Sequence, residues 1–369
     1  MDEKKFEFIL FDRIEKIKQI NNEYDLEHTS YLSHSGGKDS CVMSKLLDLA
    51  LPNNKIPRVY KDTGIEYPQM RKFCRKLRDT DNRFIYLKPN INIKKALTKQ
   101  GYPFKSKQHS HNFAIYKNNI EQCEYYKNDI LNNRKDMIDR INNNITIQED
   151  VDYILSLPRG VHSFIRYYFG IRVKKDKELP TNTESRCRER ENIILSTSIK
   201  IVPNKLKYQF TPEYAKQHNF SDRCCYIFKK NIFKEWELNV ERYNCFTGQR
   251  KDEGGNRSGL KCISQGTNGK HFNLLMPVSD EWEEYFIKEY NIELCELYYP
   301  PYNFKRTGCL FCPFSLNLQE QLDKMKEICP SVCKQAELIW KPVFDEYRKV
   351  GYRLDRKTNQ MSIFDFMEE

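Results

Sequence analysis

A six-residue stretch near the amino terminus combines glycines, hydroxyl groups and a lysine in a pattern suited to an anionic ligand. It reads Ser35-Gly36-Gly37-Lys38-Asp39-Ser40, with β-prone residues before it and a helical pattern after it. Two glycines allow positive φ and a close approach of a ligand to the backbone. The first N–H groups of the following helix lack intrahelical partners. The spacing is not that of the GxxxxGKS/T phosphate loop. We expect these six residues to bind phosphate, pyrophosphate or sulfate, the alternative being an ordinary strand-to-helix turn.

A second polar turn with a glycine follows the next predicted strand, which spans residues 57–61. It begins Asp62-Thr63-Gly64. Strands that alternate with helices predict an α/β fold with a parallel sheet and helices on both faces. Ligands of such sheets bind beyond the carboxyl ends of the strands, where both turns fall. We therefore assign Asp62, Thr63 and Gly64 to the same nucleotide site, although Asp62 could instead cap the helix predicted to begin near Pro68.

Four cysteines have the spacing of a metal centre. Cys224 and Cys225 are adjacent, and a C-x-x-C pair, Cys309 and Cys312, follows after 83 intervening residues. Neighbouring cysteines point in different directions, which suits the several irons of a [4Fe–4S] cluster better than one metal ion. A Cys₄ zinc site is the alternative, although it normally uses two C-x₂₋₄-C knuckles. Buried cysteines without a metal are the third interpretation.

The composition of the chain indicates which kinds of partner and which cellular compartment to expect. The chain has 369 residues, a net charge of +11 and 13 cysteines. The positive charge suits anionic partners, namely nucleotides and nucleic acid. The first residues show no signal-peptide pattern, and no apolar stretch approaches the roughly 20 residues of a membrane span. We expect a cytoplasmic protein with no membrane partner, in which clustered cysteines indicate metal or redox chemistry.

Five segments are predicted along the chain. They are an N-terminal helix (1–24), the α/β core (25–104), a helical, basic insertion (105–193), a substrate-closing and iron–sulfur region (194–333), and a C-terminal helix and tail (334–369). Two basic runs of the insertion, 105–107 and 186–190, are candidates for contact with nucleic acid. The alternative for such charge runs is a solvated surface.

Both glycine turns and the cysteine spacing together resemble the phosphoadenosine phosphosulfate reductase family of the PP-loop enzymes. Within it, the cysteine pairing is similar to that of the iron–sulfur branch, which includes adenylylsulfate reductases and the sulfur-transfer subunit of DNA phosphorothioation systems. The resemblance implies an adenine nucleotide alpha hydrolase-like fold with a cysteine-rich C-terminal lobe. It also implies ATP or an adenylylated sulfate as ligand, with or without Mg²⁺, and a protein that donates sulfur or electrons.

The same resemblance assigns candidate catalytic residues to the stretch Thr247 to Arg257. Arg250 and Arg257 would face the anionic end of the substrate, and Glu253 would orient an arginine or contact the substrate. A guanidinium group matches sulfate or phosphate oxygens with two parallel hydrogen bonds. The alternative for each of these charged residues is a surface ion pair.

The chain departs from the reductases at its carboxyl end. The reductases attack the sulfate with a cysteine of the C-terminal tail, whereas the last cysteine of this sequence is Cys333. We therefore expect ATP-dependent sulfur transfer, with reduction of an adenylylated sulfate as the alternative and a non-catalytic nucleotide sensor as the third possibility. Cys245 and Cys262 are candidates for a redox or sulfur-carrying role, and Cys329 and Cys333 are expected to pack.

The tail carries one further motif. Gln360-Met361-Ser362-Ile363-Phe364 resembles the peptide that docks bacterial proteins onto the replication sliding clamp. An exposed apolar peptide of this kind suits a groove on a partner. The alternative is a tail that packs on its own domain.

Overall fold

A computed structural model describes residues 2–175, 193–253 and 259–355. These residues belong to two compact units. The first comprises Met1–Ile93, Cys225–Cys312 and Asn317–Leu338, and the second comprises Lys94–Cys224, Pro313–Leu316 and Ile339–Glu369. The first unit thus contains most of the predicted core together with the C-x-x-C pair. The second contains the predicted insertion and, in addition, residues 194–224.

Eight strands are described. In chain order they are β1 Ser30–Ser33, β2 Arg58–Lys61, β3 Phe84–Leu87, β4 Ile171–Lys175, β5 Ile193–Thr197, β6 Asn244–Phe246, β7 Ile263–Gln265 and β8 Lys270–Phe272.

Fifteen α-helices are described. In chain order they are α1 Glu3–Tyr24, α2 Leu26–Thr29, α3 Lys38–Ala50, α4 Pro68–Thr80, α5 Ile93–Gln100, α6 Lys107–Asn118, α7 Ile120–Asn133, α8 Lys135–Asn142, α9 Gln148–Ser156, α10 Arg159–Phe169, α11 Pro212–Gln217, α12 Asn231–Val240, α13 Asp280–Glu289, α14 Leu318–Ile328 and α15 Pro330–Val350.

The first unit is built on a six-stranded sheet with the order β3-β2-β1-β6-β8-β7. Every neighbouring pair is parallel except β7 and β8. Leu32 of β1 lies opposite Arg58 of β2 on one side and opposite Phe246 of β6 on the other. Because these strands run in the same direction, their carboxyl ends share one edge of the sheet, and the loops that follow them meet there.

Alternate residues of the strands face two helical layers. Leu32 and Phe246 pack with apolar residues of α1, α3 and α13 in the main core. Their neighbours Tyr31 and Cys245 face the opposite side, where Phe233 of α12 covers them. Each fully buried Leu or Phe side chain contributes about 1.5–3 kcal/mol to folding. The predicted α/β fold, with parallel strands and helices on both faces, is confirmed.

The second unit is mainly helical. Phe210 packs against aromatic rings of α6 and α10, among them Phe113 and Phe164. His109 of α6 is buried, and its two ring nitrogens lie 2.9 Å from the Tyr167 hydroxyl and 2.9 Å from Gln209 Oε1. Strands β4 and β5 form a separate antiparallel pair. This unit therefore has an aromatic core of its own.

Within the ranges 2–175, 193–253 and 259–355, no helix is both long and apolar enough to cross a membrane.

Candidate functional site

The first glycine turn connects β1 to α3, as the sequence predicts. The helix begins at Lys38, with Gly37 as its N-cap residue. Gly36 has φ of +77°, and a Cβ atom there would lie 2.2 Å from Met70 Sδ and 2.8 Å from Cys74 Sγ of α4. Only glycine meets both conditions, because a side chain at this position would be strained and would also clash. The turn therefore lies at the amino end of a helix, which is a common setting for anion binding.

The two serines of this turn bond to the turn itself. Ser40 Oγ donates to the Gly37 carbonyl at 2.8 Å and accepts from the Ser35 N–H at 3.2 Å. The Gly37 N–H in turn donates to Ser35 Oγ at 3.2 Å. These bonds hold the backbone in shape, so the hydroxyls stabilise the turn, and their contact with a ligand stays a prediction.

His34, which the sequence analysis did not select, stabilises the first glycine turn. Its Nδ1 accepts a hydrogen bond from the Gly36 N–H at 3.1 Å, and its ring meets the edge of Phe84 at 5.1 Å between centroids. Burial lowers the pKa of His34 to about 3, which keeps the imidazole neutral and Nδ1 able to accept. The only sequence signal for this role is a histidine placed directly before the Ser35–Ser40 turn.

The second turn, after β2, is held by Asp62. This carboxylate is buried; Oδ1 accepts from the Gly64 N–H at 2.9 Å, and Oδ2 accepts from the Tyr86 hydroxyl at 2.7 Å. The alternative role as a helix cap is not observed, because α4 begins after Tyr67 without a side-chain cap. Thr63 Oγ1 donates to Glu66 Oε1 at 2.9 Å. Both residues thus shape the loop, and their contact with a nucleotide remains a prediction.

The C-x-x-C loop pairs with this second turn. The Leu310 N–H donates to the Ile65 carbonyl at 2.6 Å, and Glu66 and Cys309 form an antiparallel bridge. The Cys312 N–H donates to the Cys309 carbonyl at 3.2 Å, which closes the loop into a tight turn. The two cysteines therefore lie at the edge of the sheet where the glycine turns are.

Lys229 connects the two cysteine motifs and was also missed by the sequence analysis. It lies in a π-helical turn, Tyr226–Lys230, that follows Cys225 directly. The negative charges of Cys309, Glu66 and Cys225 raise the pKa of its ammonium group. Burial raises the pKa of the Cys309 thiol to about 12, and Lys229 opposes that shift. The sequence signal was the lysine one helical turn after the paired cysteines.

The donor set agrees in part with an iron–sulfur cluster. Three of the four predicted ligands, Cys225, Cys309 and Cys312, belong to the first unit, and Cys224 is a buried residue of the second. Four thiolates are what a [4Fe–4S] cluster needs, and a lysine beside them would balance their negative charge. Yet no group of three or more His, Cys, Asp or Glu among the residues described is arranged to hold a metal ion. The cluster, like the zinc alternative, stays a proposal.

A tyrosine joins the cysteine loop to the first glycine turn. The Lys38 N–H donates to the Tyr298 hydroxyl at 3.3 Å, and that hydroxyl lies 2.8 Å from Thr307 Oγ1, two residues before Cys309. The Lys38 ammonium lies 5.8 Å from the centre of the Tyr298 ring. The sequence had no pattern that identified Tyr298, because the contact depends on a loop 260 residues away.

Arg250 makes contacts other than those expected. It is buried and forms ion pairs with Asp39 at 2.5 Å, Asp280 at 2.5 Å and Glu283 at 3.0 Å. The guanidinium thus pairs with carboxylates of the protein beside α3, and because its side chain is buried it is not the surface ion pair of the alternative. A catalytic role for Arg250 stays a prediction. Glu253 ends a short 3₁₀ turn and its side chain is not described.

Three other predictions fall wholly or partly outside the described residues. Arg257 and the tail motif 360–364 lie beyond them, as does the basic run 186–190. Of the run 105–107, Ser106 caps α6 by accepting from the His109 N–H at 3.1 Å, and the Lys105 ammonium lies 5.9 Å from the Tyr167 ring centre. Contact with nucleic acid therefore stays a prediction.

The model of the phosphoadenosine phosphosulfate reductase domain matches residues 29–134 and 170–315, together more than half of the chain. The chain belongs to the phosphoadenosine phosphosulfate reductase family. The matched ranges include both glycine turns, all four predicted cysteine ligands and Arg250. Family membership connects the protein with sulfonucleotide chemistry and with enzymes of the oxidoreductase class.

No curated protein sequence matches the chain. Among solved structures, it is similar to the phosphoadenylyl-sulfate (PAPS) reductase from Candida auris in its phosphate complex. The sequence identity is 10%, the match covers 84% of this chain and 96% of that chain, and the TM-score is 0.39. The fold assignment rests on the strand order and packing described above.

For a member of the phosphoadenosine phosphosulfate reductase family, the remaining thiols matter as possible nucleophiles. Cys245 is buried on β6, and burial raises its pKa to about 12. Cys333 is buried too, its sulfur lies 3.6 Å from the Leu322 carbonyl, and burial raises its pKa to about 11. Both features oppose formation of an attacking thiolate. Cys262 and Cys329 are half-buried.

Proposed function

We propose that the protein binds an adenine nucleotide at the Ser35–Ser40 turn and carries out ATP-dependent sulfur transfer with a [4Fe–4S] cluster. Cys224, Cys225, Cys309 and Cys312 would hold the cluster. The observation that carries the proposal is that the cysteine loop is hydrogen-bonded to both glycine turns. One connection is the Leu310–Ile65 hydrogen bond, and the other is the chain Thr307–Tyr298–Lys38. A reactive sulfur on that loop would lie beside the bound nucleotide.

The residues around the first turn suit the phosphates of a nucleotide. The amino end of α3 favours negative charge through the helix dipole. Lys38 and Arg306 supply positive charge at this end, and together with Arg250, the main cause, they lower the pKa of Asp280. Fixed cations and N–H groups stabilise the charge that develops when a phosphate or sulfate bond breaks. A cluster bound beside them would supply sulfur or electrons.

Reduction of an adenylylated sulfate is the second candidate, and the family match favours it. That reaction needs a thiolate that attacks the sulfate sulfur and forms a covalent intermediate. The burial of Cys245 and Cys333 counts against both as that nucleophile. We therefore rank sulfur transfer first, with a sulfur-donor protein and nucleic acid as proposed partners.

The reaction products distinguish the three candidate functions. We expect anaerobically purified protein to release pyrophosphate from labelled ATP in the presence of a sulfur donor and an acceptor. Release of sulfite from labelled adenylylsulfate would instead identify a reductase. Tight binding of either nucleotide without any product would identify a sensor and would contradict the proposed reaction.

Lys38 provides the matched test of the nucleotide site. We expect Lys38→Met to weaken ATP binding by about 10- to 100-fold, because a hydrogen bond to a charged group contributes about 1.5–3 kcal/mol. Lys45→Met is the control, since Lys45 lies on the same helix and its ammonium packs 5.6 Å from the Tyr290 ring centre. Isothermal titration calorimetry measures both affinities. Equal ATP affinity in the two variants would place the nucleotide elsewhere.

A further inference from the structure

The Tyr298 hydroxyl occupies a position at the first turn of α3 that an anionic oxygen would also need. It accepts the Lys38 N–H at 3.3 Å. A Cβ atom added to Gly37 would lie 3.2 Å from this hydroxyl and 3.8 Å from Thr307 Oγ1, so both groups are packed against the turn. Gly37 has no side chain to cap the helix. Tyr298 thus serves as a cap that comes from a distant loop.

The second bond of this hydroxyl leads to the cysteine loop. Thr307 Oγ1 lies 2.8 Å from it, and Thr307 is followed by Gly308 and Cys309. Tyr298 itself ends the short helical turn Glu296–Tyr298, whose backbone bond runs from the Tyr298 N–H to the Cys295 carbonyl at 3.0 Å. Tyr298 is therefore fixed at its backbone, and its hydroxyl contacts two loops at once.

An anionic oxygen competes well with a phenol for the same N–H. Hydrogen bonds to charged acceptors are about twice as strong as those between neutral groups. The helix dipole adds about 0.3–1 kcal/mol for a negative charge at this position. A phosphate or sulfate oxygen would therefore displace the Tyr298 hydroxyl from the Lys38 N–H.

We propose that Tyr298 and Thr307 are positioning residues that couple occupancy of the glycine turn to the conformation of the loop Arg306–Cys312. The proposal rests on the proposed function and deepens it, because it gives the cysteine loop a way to respond to the nucleotide. Without ligand, the hydroxyl links the turn to Thr307. With an anionic group at Lys38, the hydroxyl moves away and the Thr307 contact changes with it.

Two variants separate the contacts of the hydroxyl. Tyr298→Phe keeps the ring beside the Lys38 ammonium and removes only the oxygen, so the competing acceptor is lost. We expect ATP to bind about 2- to 10-fold more tightly, which corresponds to one ordinary hydrogen bond of about 1 kcal/mol. Thr307→Val keeps the Tyr298 cap on the Lys38 N–H and removes the contact that ATP would have to break. Because coupling is reciprocal, we expect ATP to bind this variant more tightly as well, by about 2- to 5-fold. Tyr302→Phe is the matched control, because the Tyr302 hydroxyl accepts from Gln69 at 3.1 Å and does not take part in the Lys38–Thr307 link.

Hydrogen–deuterium exchange of the peptide that covers 303–312 reports on the loop itself. In the parent protein we expect ATP to raise the exchange of this peptide, because the Thr307 contact is lost. In Thr307→Val the exchange without ATP should already equal the ATP-bound level of the parent. This measurement needs no activity and no loaded cluster.

The outcomes separate this proposal from the proposed function. If the parent protein binds neither ATP nor adenylylsulfate, the proposed function fails. If ATP binds but Tyr298→Phe binds it as Tyr302→Phe does, or more weakly, the coupling alone is overturned. Unchanged or lower exchange of the peptide on addition of ATP also overturns it.

Discussion

At the scale of single residues, side chains from distant parts of the chain hold the first glycine turn in place. The Ser35–Ser40 turn lies where the pattern predicts, because its glycines and flanking periodicity are local properties. The partners of its side chains are not local: Asp39 pairs with Arg250, 211 positions away. Asp62, whose contact with a nucleotide stays a prediction, accepts hydrogen bonds from the Gly64 N–H of its own loop and from the Tyr86 hydroxyl. A sequence states which groups are chemically able to act, and the fold decides which neighbours they have.

His34 provides a prediction about pH at this scale. Its pKa is lowered from 6.5 to about 3, so the unfolded chain takes up a proton near pH 6.5 while the folded protein does not. Stability from this group is therefore present above about pH 6.5 and is lost as the pH falls towards 3. We expect the free energy of unfolding to fall by about 2 kcal/mol more between pH 7 and pH 5 in the parent than in His34→Asn.

Asparagine suits this test because its amide oxygen can accept the Gly36 N–H and does not titrate. Urea unfolding at pH 7 and pH 5 measures the difference. The same pH dependence in parent and variant would show that His34 is not buried in its neutral form.

At the scale of elements, the loops after β1, β2 and β6 lie at one edge of the sheet, where α3 begins. Loops after β1 and β2 were predictable, since strand and helix patterns alternate along residues 30–87. The loop after β6 was not, because β6 pairs with β1 across more than 200 residues, and no local pattern specifies such a pairing. Gly248 marks this junction: a Cβ atom there would lie 2.7 Å from the Asp39 carbonyl carbon and 2.8 Å from its oxygen.

Gly248→Ala tests how closely the β6 loop and α3 must approach. The added methyl group meets rigid backbone, so we expect a loss of about 1–3 kcal/mol in the free energy of unfolding, as for other overpacked sites. ATP binding should weaken as well, because Asp39 belongs to the glycine turn. Gly259→Ala is the control, since an added Cβ there has nothing within 4 Å and should change stability by less than about 0.5 kcal/mol. Equal stability of the two variants would refute the close approach.

At the scale of the whole molecule, the predicted α/β fold class is confirmed, and the predicted iron–sulfur cluster is untested. The parallel sheet with two helical layers follows from the repeated strand–helix pattern, which is a strong signal. The two compact units do not follow from composition, because residues 194–224 differ little in character from their neighbours but belong with the helical second unit. The net charge of +11 agrees with an anionic partner and does not identify one.

The most direct test of the central claim is a titration of anaerobically purified protein with ATP, followed by visible circular dichroism and by iron analysis. We predict a brown protein with about four irons per chain and a spectrum that changes on saturation with the affinity measured by calorimetry. Cys312→Ser should remove the colour, and Cys329→Ser, which alters a cysteine outside the four, should retain it. A colourless preparation that contains zinc, or a cluster spectrum that saturating nucleotide leaves unchanged, would contradict a shared nucleotide and iron–sulfur centre.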